Sequence, residues 1–90
     1  MEYEFSEKVY RKLKKLKRKD FGLFSLIKVK LEIFKIDEKR PSLRLHKLSG
    51  EMMESWSISI NESIRMVFYY RNKDRVVFTN LGKHEEVYKR

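Results

Sequence analysis

Only two histidines occur in the 90 residues, and both sit in short polar segments: His46-Lys47-Leu48-Ser49-Gly50 and Gly82-Lys83-His84-Glu85-Glu86-Val87-Tyr88. Histidine is the residue type that gives and takes protons near neutral pH, because its ordinary pKa is about 6.5. His84 stands beside a lysine and a glutamate pair, four residues before Tyr88. Its plain alternative is a polar side chain in a solvated tail. Arg65 is the third residue with chemical potential, since a guanidinium offers several fixed donors to a phosphate; its plain alternative is a solvated strand arginine. A zinc site from His46, His84, Glu85 and Glu86 fits no familiar ligand spacing, so no metal is expected.

The elements that must position these residues follow from hydrophobic period. Residues 1–5 alternate, with Tyr3 and Phe5 on one side and Glu2 and Glu4 on the other, which predicts a short half-buried strand. Ser6 is placed to cap a helix, with Phe5 and Tyr10 forming a hydrophobic staple. Val9, Leu13 and Leu16 follow at helical spacing, and lysines and arginines fill the other faces through Lys19. Asp20 predicts a second cap. Beyond it Phe24, Ile27, Leu31 and Phe34 mark a second helix that ends before Pro41. So short a link predicts antiparallel neighbours.

After Pro41 the period changes to two. Trp56, Ile58 and Ile60 alternate with Ser57, Ser59 and Asn61, and a turn follows at 61–63. Ile64, Met66, Phe68 and Tyr70 then share one strand face, while Arg65, Val67 and Tyr69 share the other. Residues 72–74 make the next turn and 75–81 the next strand. The expected class is α+β: two N-terminal helices on one face of a mostly antiparallel sheet of four or five strands, in the order β-α-α-β-β-β. The apolar side of the Ile64 strand belongs under the helices. Arg65, Val67 and Tyr69 should then lie on the sheet face that the helices leave open, where an arginine can clamp a phosphate. No repeat or linker divides the chain, so residues 1–90 form one domain.

Composition limits the functions available. The chain has 22 basic and 13 acidic residues, a formal charge of +9. That imbalance is too large for a surface of simple ion pairs and points to a polyanionic partner: nucleic acid, an acidic protein or a membrane surface. The run at residues 11–19, RKLKKLKRK, reads as a helix with a solvated basic side. There is no cysteine, which removes thiol nucleophiles, disulfides and Cys-based zinc sites. With no long apolar run and an acidic start unlike a signal peptide, a cytoplasmic protein is expected, with no membrane-spanning segment.

Residues 44–89 resemble the second half of the RelE/ParE toxin superfamily, close to its YoeB and YafQ branches. The resemblance rests on four pieces in order: His46-Lys47-Leu48-Ser49-Gly50, Trp56-Ser57-Ile58, Arg65, and Gly82-Lys83-His84 with Tyr88 four residues on. It implies a RelE-like fold and the toxin half of a type II toxin–antitoxin pair, a ribosome-dependent mRNA endoribonuclease that needs no metal or cofactor. In such enzymes the substrate's own 2′-OH attacks the adjacent phosphate. The step calls for a base, an acid and a cation at the transition-state charge.

Carried over residue by residue, His84 is the terminal acid or base and Arg65 the group at the scissile phosphate. Tyr88 is the closing aromatic, able to stack or donate a proton. His46 occupies a place where some members carry His and others a nearby Glu. Lys47 and Lys83 flank these residues as candidates for substrate phosphate contacts, with a solvated lysine the plainer alternative for each. Implied partners are mRNA on the ribosome, ribosomal RNA and an acidic antitoxin that folds on binding. One departure stands out: Ser57 and Ser59 replace the strand lysines of one ribosome-dependent relative, so cleavage here would run through histidine. A gyrase-inhibiting ParE-like protein and a basic RNA-binding domain without activity are the alternatives on the same fold.

Overall fold

The computed structural model describes residues 1–50 and 54–87. Strand β1 (Glu2–Phe5) pairs parallel to β5 (Arg75–Lys83), with Tyr3 opposite Val76 and Phe5 opposite Phe78. The Ser6 hydroxyl accepts the Val9 N–H at 3.2 Å and starts α1 (Glu7–Lys19). Asp20 closes α1 and opens α2 (Phe21–Ile36), its carboxylate accepting the Leu23 N–H at 3.1 Å. Each cap satisfies a backbone donor that the helix cannot, worth about 1 kcal/mol. The end of α2 returns beside the start of the chain, where the Met1 amino group donates to the Lys35 carbonyl at 2.8 Å.

A 3₁₀ turn at Pro41–Leu43 leads to the two-residue strand β2 (His46–Lys47), then β3 (Trp56–Ser59), β4 (Ile64–Asn72), β5 and a one-turn helix α3 (His84–Val87). The sheet order is β1-β5-β4-β3-β2, antiparallel except for the β1–β5 pair. This is the α+β architecture expected from the periods, with five strands. No helix among the described residues is long and apolar enough to cross a membrane.

The core lies between the helices and one sheet face. Val9, Leu13, Ile27, Leu31 and Phe34 cover Ile58, Met66, Phe68, Val76, Phe78 and Leu81. The Phe34 ring meets Phe68 and Phe78 edge-on, with centroids 5.2 and 5.4 Å away. Emptying that position costs about 3–5 kcal/mol.

β5 outruns β1, so past Phe78 its edge lacks a strand neighbour, and α1 occupies the gap. Ser6 N–H donates to the Phe78 carbonyl at 2.9 Å, and Lys12 Nζ donates to the Leu81 carbonyl at 2.5 Å. Lys8 Nζ reaches the Asn80 amide oxygen at 2.6 Å. Two lysines of the basic helix therefore tie it to a sheet edge instead of facing only water.

The outer sheet face is less open than the strand alternation suggests. Val67 and Ser57 are fully buried, and Val87 of α3 is buried where that helix packs on β4 and β5. Four residues are too few to show a helical period in sequence, so α3 went unanticipated. Of the expected outward trio, Val67 is covered, Arg65 half-buried and Tyr69 exposed.

Candidate functional site

Cross-strand partners share a face, so the pairing register sorts the outer-face side chains into rows. His46 lies opposite Ser57, Ser57 opposite Val67, and Val67 opposite Asn80. The neighbouring row runs Ser59, Arg65, Gly82. A β-bulge at Thr79 creates this second alignment: Phe68 pairs with Phe78, but Val67 pairs with Asn80. Every later β5 residue moves by one place, so that Gly82 instead of Leu81 stands opposite Arg65.

His46 is exposed, with Nδ1 at 3.4 Å from both the Ser57 hydroxyl and the Arg44 carbonyl. Ser57, by contrast, is fully buried. A buried hydroxyl thus sits against an exposed ring, with Nε2 on the ring's other side. Lys47 lies opposite Trp56, on the face away from His46.

Arg65 bends over the β3–β4 turn. Its Nη1 donates to the carbonyls of Asn61, Glu62 and Ile64 at 2.6, 3.1 and 3.2 Å. All three bonds use one nitrogen, so Nε and Nη2 keep donors that an anion can accept. The same turn holds His84, whose backbone N–H donates to the Ser63 carbonyl at 3.2 Å. The imidazole itself is on an exposed residue at the first position of α3.

Glu86 has a local task, its carboxylate accepting the Lys83 N–H at 2.8 Å. A Cβ at Gly82 would come within 3.0 Å of Glu86 Oε1 and 3.3 Å of Lys12 Nζ, so the glycine leaves room for both groups. Lys83 pairs with Ile64 and alternates away from the Arg65 row. Tyr88 lies outside the described residues. Among the described residues no three acidic or histidine side chains converge to hold a metal ion.

The structure therefore mounts Arg65 and His84 on one turn and places His46 at the far edge of the same sheet face. Lys47 and Lys83 point elsewhere. Three strand spacings separate β2 from β5, roughly 14 Å laterally, so the segments that carry the two histidines flank the intervening strands β3 and β4. Ser57 was visible in the sequence as a serine in a greasy strand, but its place beneath His46 depends on register. The two phenols that burial pushes above their usual pKa, Tyr3 and Tyr70, belong to the helix-covered side and not to this face.

No protein-family model matches the chain, and no curated protein matches it in sequence. Solved structures do match in fold. The YoeB/ParE toxin from Agrobacterium tumefaciens superposes with a TM-score of 0.78 at 18% identity, covering 93% of this chain and 99% of that one. The YoeB-YefM complex from Staphylococcus aureus gives 0.77 at 15%, covering 93% and 97%. A mutant of YafQ from E. coli gives 0.73 at 13%, covering 97% of each chain. Nearly the whole chain is matched end to end in each case, at an identity where only shared architecture explains the agreement. The chain has the fold of the RelE/ParE-superfamily toxins.

Proposed function

We propose that the chain is the toxin of a toxin–antitoxin pair and cuts mRNA on the ribosome. The observation that carries this reading is the joint anchoring of Arg65 and His84 on the β3–β4 turn, with His46 on the edge strand of the same sheet. In the reaction, a base takes the proton of a ribose 2′-OH and the freed oxygen attacks the adjacent phosphorus. The bond to the 5′-oxygen breaks, a 2′,3′-cyclic phosphate forms, and an acid protonates the leaving oxygen. Histidines on the two flanks of β3 and β4 suit a base and an acid, and the unused Arg65 donors suit the charge on the phosphoryl oxygens. Tyr88 belongs to the proposed set as the closing aromatic.

The partner side of the proposal is an acidic antitoxin. The Staphylococcus aureus relative is described as a complex with YefM. Here an apolar groove floored by Leu16, Leu23, Ile64 and Leu81 is rimmed by Lys12 and Lys15, which suits an amphipathic acidic segment. The deciding experiment is single-turnover cleavage on programmed ribosomes, with mapped mRNA ends. Cleavage by the parent and its loss in His84→Gln supports the reading. Growth arrest with intact mRNA and inhibited gyrase would replace it with the ParE-like alternative.

A further inference from the structure

A polar cleft opens beside the β3–β4 turn. Lys30 of α2, Ser42, Arg44, Ser59, Asn61 and Glu62 line it. Its chemistry is that of an anion site. Lys30 is half-buried, which keeps its ammonium close to the protein surface. Ser59 is 8% exposed, a hydroxyl fixed in a strand rather than a mobile surface group.

The Asn61 side chain is held by the turn. Its Oδ1 accepts the Ser63 and Ile64 N–H groups at 2.8 and 2.7 Å, which fixes the amide plane and turns the two Nδ2 donors elsewhere. Arg44 reaches the cleft from a left-handed backbone at φ 50°, an arrangement that a residue with a Cβ adopts only where the fold demands it. Glu62 is the one carboxylate among these lining residues. The cleft adjoins the proposed reaction centre, because Arg65 clasps the Asn61 and Glu62 carbonyls and lies opposite Ser59.

We propose that this cleft is a second phosphate subsite, which holds a phosphodiester of single-stranded RNA next to the one at Arg65. The inference rests on the RNA-cleaving reading above. Lys30, Arg44, Ser42, Ser59 and Asn61 line one small volume beside a single carboxylate, Glu62, and a backbone phosphate is a ligand that can accept from all five. The subsite sets the path of the strand over the turn, so it fixes which phosphate lies beside Arg65 and His84.

The test is titration of the full chain with inorganic phosphate, then with a short RNA made uncleavable by 2′-deoxy substitution, followed by amide NMR. Both ligands should shift the Asn61 side-chain amide and the Ser42, Arg44 and Ser59 signals saturably. Lys30→Gln with Arg44→Asn should weaken phosphate by roughly tenfold. The same pair should lower the log–log salt slope for RNA by about 0.7 for each phosphate no longer neutralised. Glu62→Gln should tighten both ligands, an arm that does not depend on the double variant folding. Absence of saturable phosphate shifts, or affinity unchanged in these variants, overturns the subsite. RNA that shifts Arg65 and His84 while leaving Asn61 and Arg44 unmoved overturns the subsite and spares the RNA reading. Saturable phosphate binding with no RNA binding anywhere overturns the RNA reading, and the phosphodiester assignment with it.

Discussion

The fully buried hydroxyl of Ser57 lies 3.4 Å from Nδ1 of the exposed His46, a fixed group under a ring that solvent would otherwise leave free to turn. The pair is local in space and eleven residues apart in sequence. It defines how far each partner should matter. Ser57→Ala removes the hydrogen bond to His46, worth about 1 kcal/mol, so cleavage should fall by no more than about fivefold with the fold intact. His46→Gln should lower single-turnover cleavage by roughly 10²–10⁴-fold if the imidazole moves a proton. Equal effects of the two substitutions would show that His46 acts only through its packing.

His84→Gln should leave ribosome affinity and thermal stability near those of the parent while cleavage falls by roughly 10²–10⁴-fold. The backbone N–H that ties residue 84 to Ser63 survives the substitution, so α3 should stay in place. Unchanged cleavage in this variant would make His84 a structural residue.

Arg65 has two tasks, and its substitutions should separate them. Arg65→Ala loses three bonds to turn carbonyls as well as the donors proposed for phosphate. We expect a stability loss of about 1.5–3 kcal/mol, read by denaturant unfolding, beside a cleavage loss worth ~2.7–4 kcal/mol. Arg65→Lys keeps the charge without the fork and should restore part of the stability and little of the cleavage. Full activity in Arg65→Lys would remove the guanidinium from the mechanism.

The basic helix should divide by what each lysine touches. Lys12 donates to a β5 edge carbonyl, so Lys12→Met should cost about 1 kcal/mol of stability. Lys15→Ala should leave stability unchanged and weaken ribosome binding modestly. Binding of the parent should itself fall steeply with salt, given the +9 charge. Sedimentation with ribosomes that ignores salt would argue against a phosphate-driven association.

Tyr70 supplies an alkaline limit. Burial, reinforced by Glu38, raises its phenol above the ordinary value, so the folded state favours the neutral form. A raised pKa contributes stability below the unfolded value near 10, and that stability is lost as pH rises through the folded value. The parent should therefore weaken above about pH 10. Tyr70→Phe retains the edge-on contacts with Trp56 and Phe68 and should flatten that part of the profile. An identical alkaline profile in the variant would exclude this phenol as the cause.

The sequence by itself determined the elements and their order. Alternating Tyr3 and Phe5, the capping residues Ser6 and Asp20, and the helical spacing of Ile27, Leu31 and Phe34 are local signals, and the structure follows them. The positive charge and the sparse histidines were equally legible. Tertiary structure alone decided which side chains share a row. A period of two assigns each residue a face but says nothing of its partner on the next strand, and one bulge at Thr79 shifts everything after it. That is why Ser57 beneath His46, Lys47 turned away, and Arg65 folded onto the turn that carries His84 were not readable from spacing. Long-range register, set by packing and not by local preference, assembled the site.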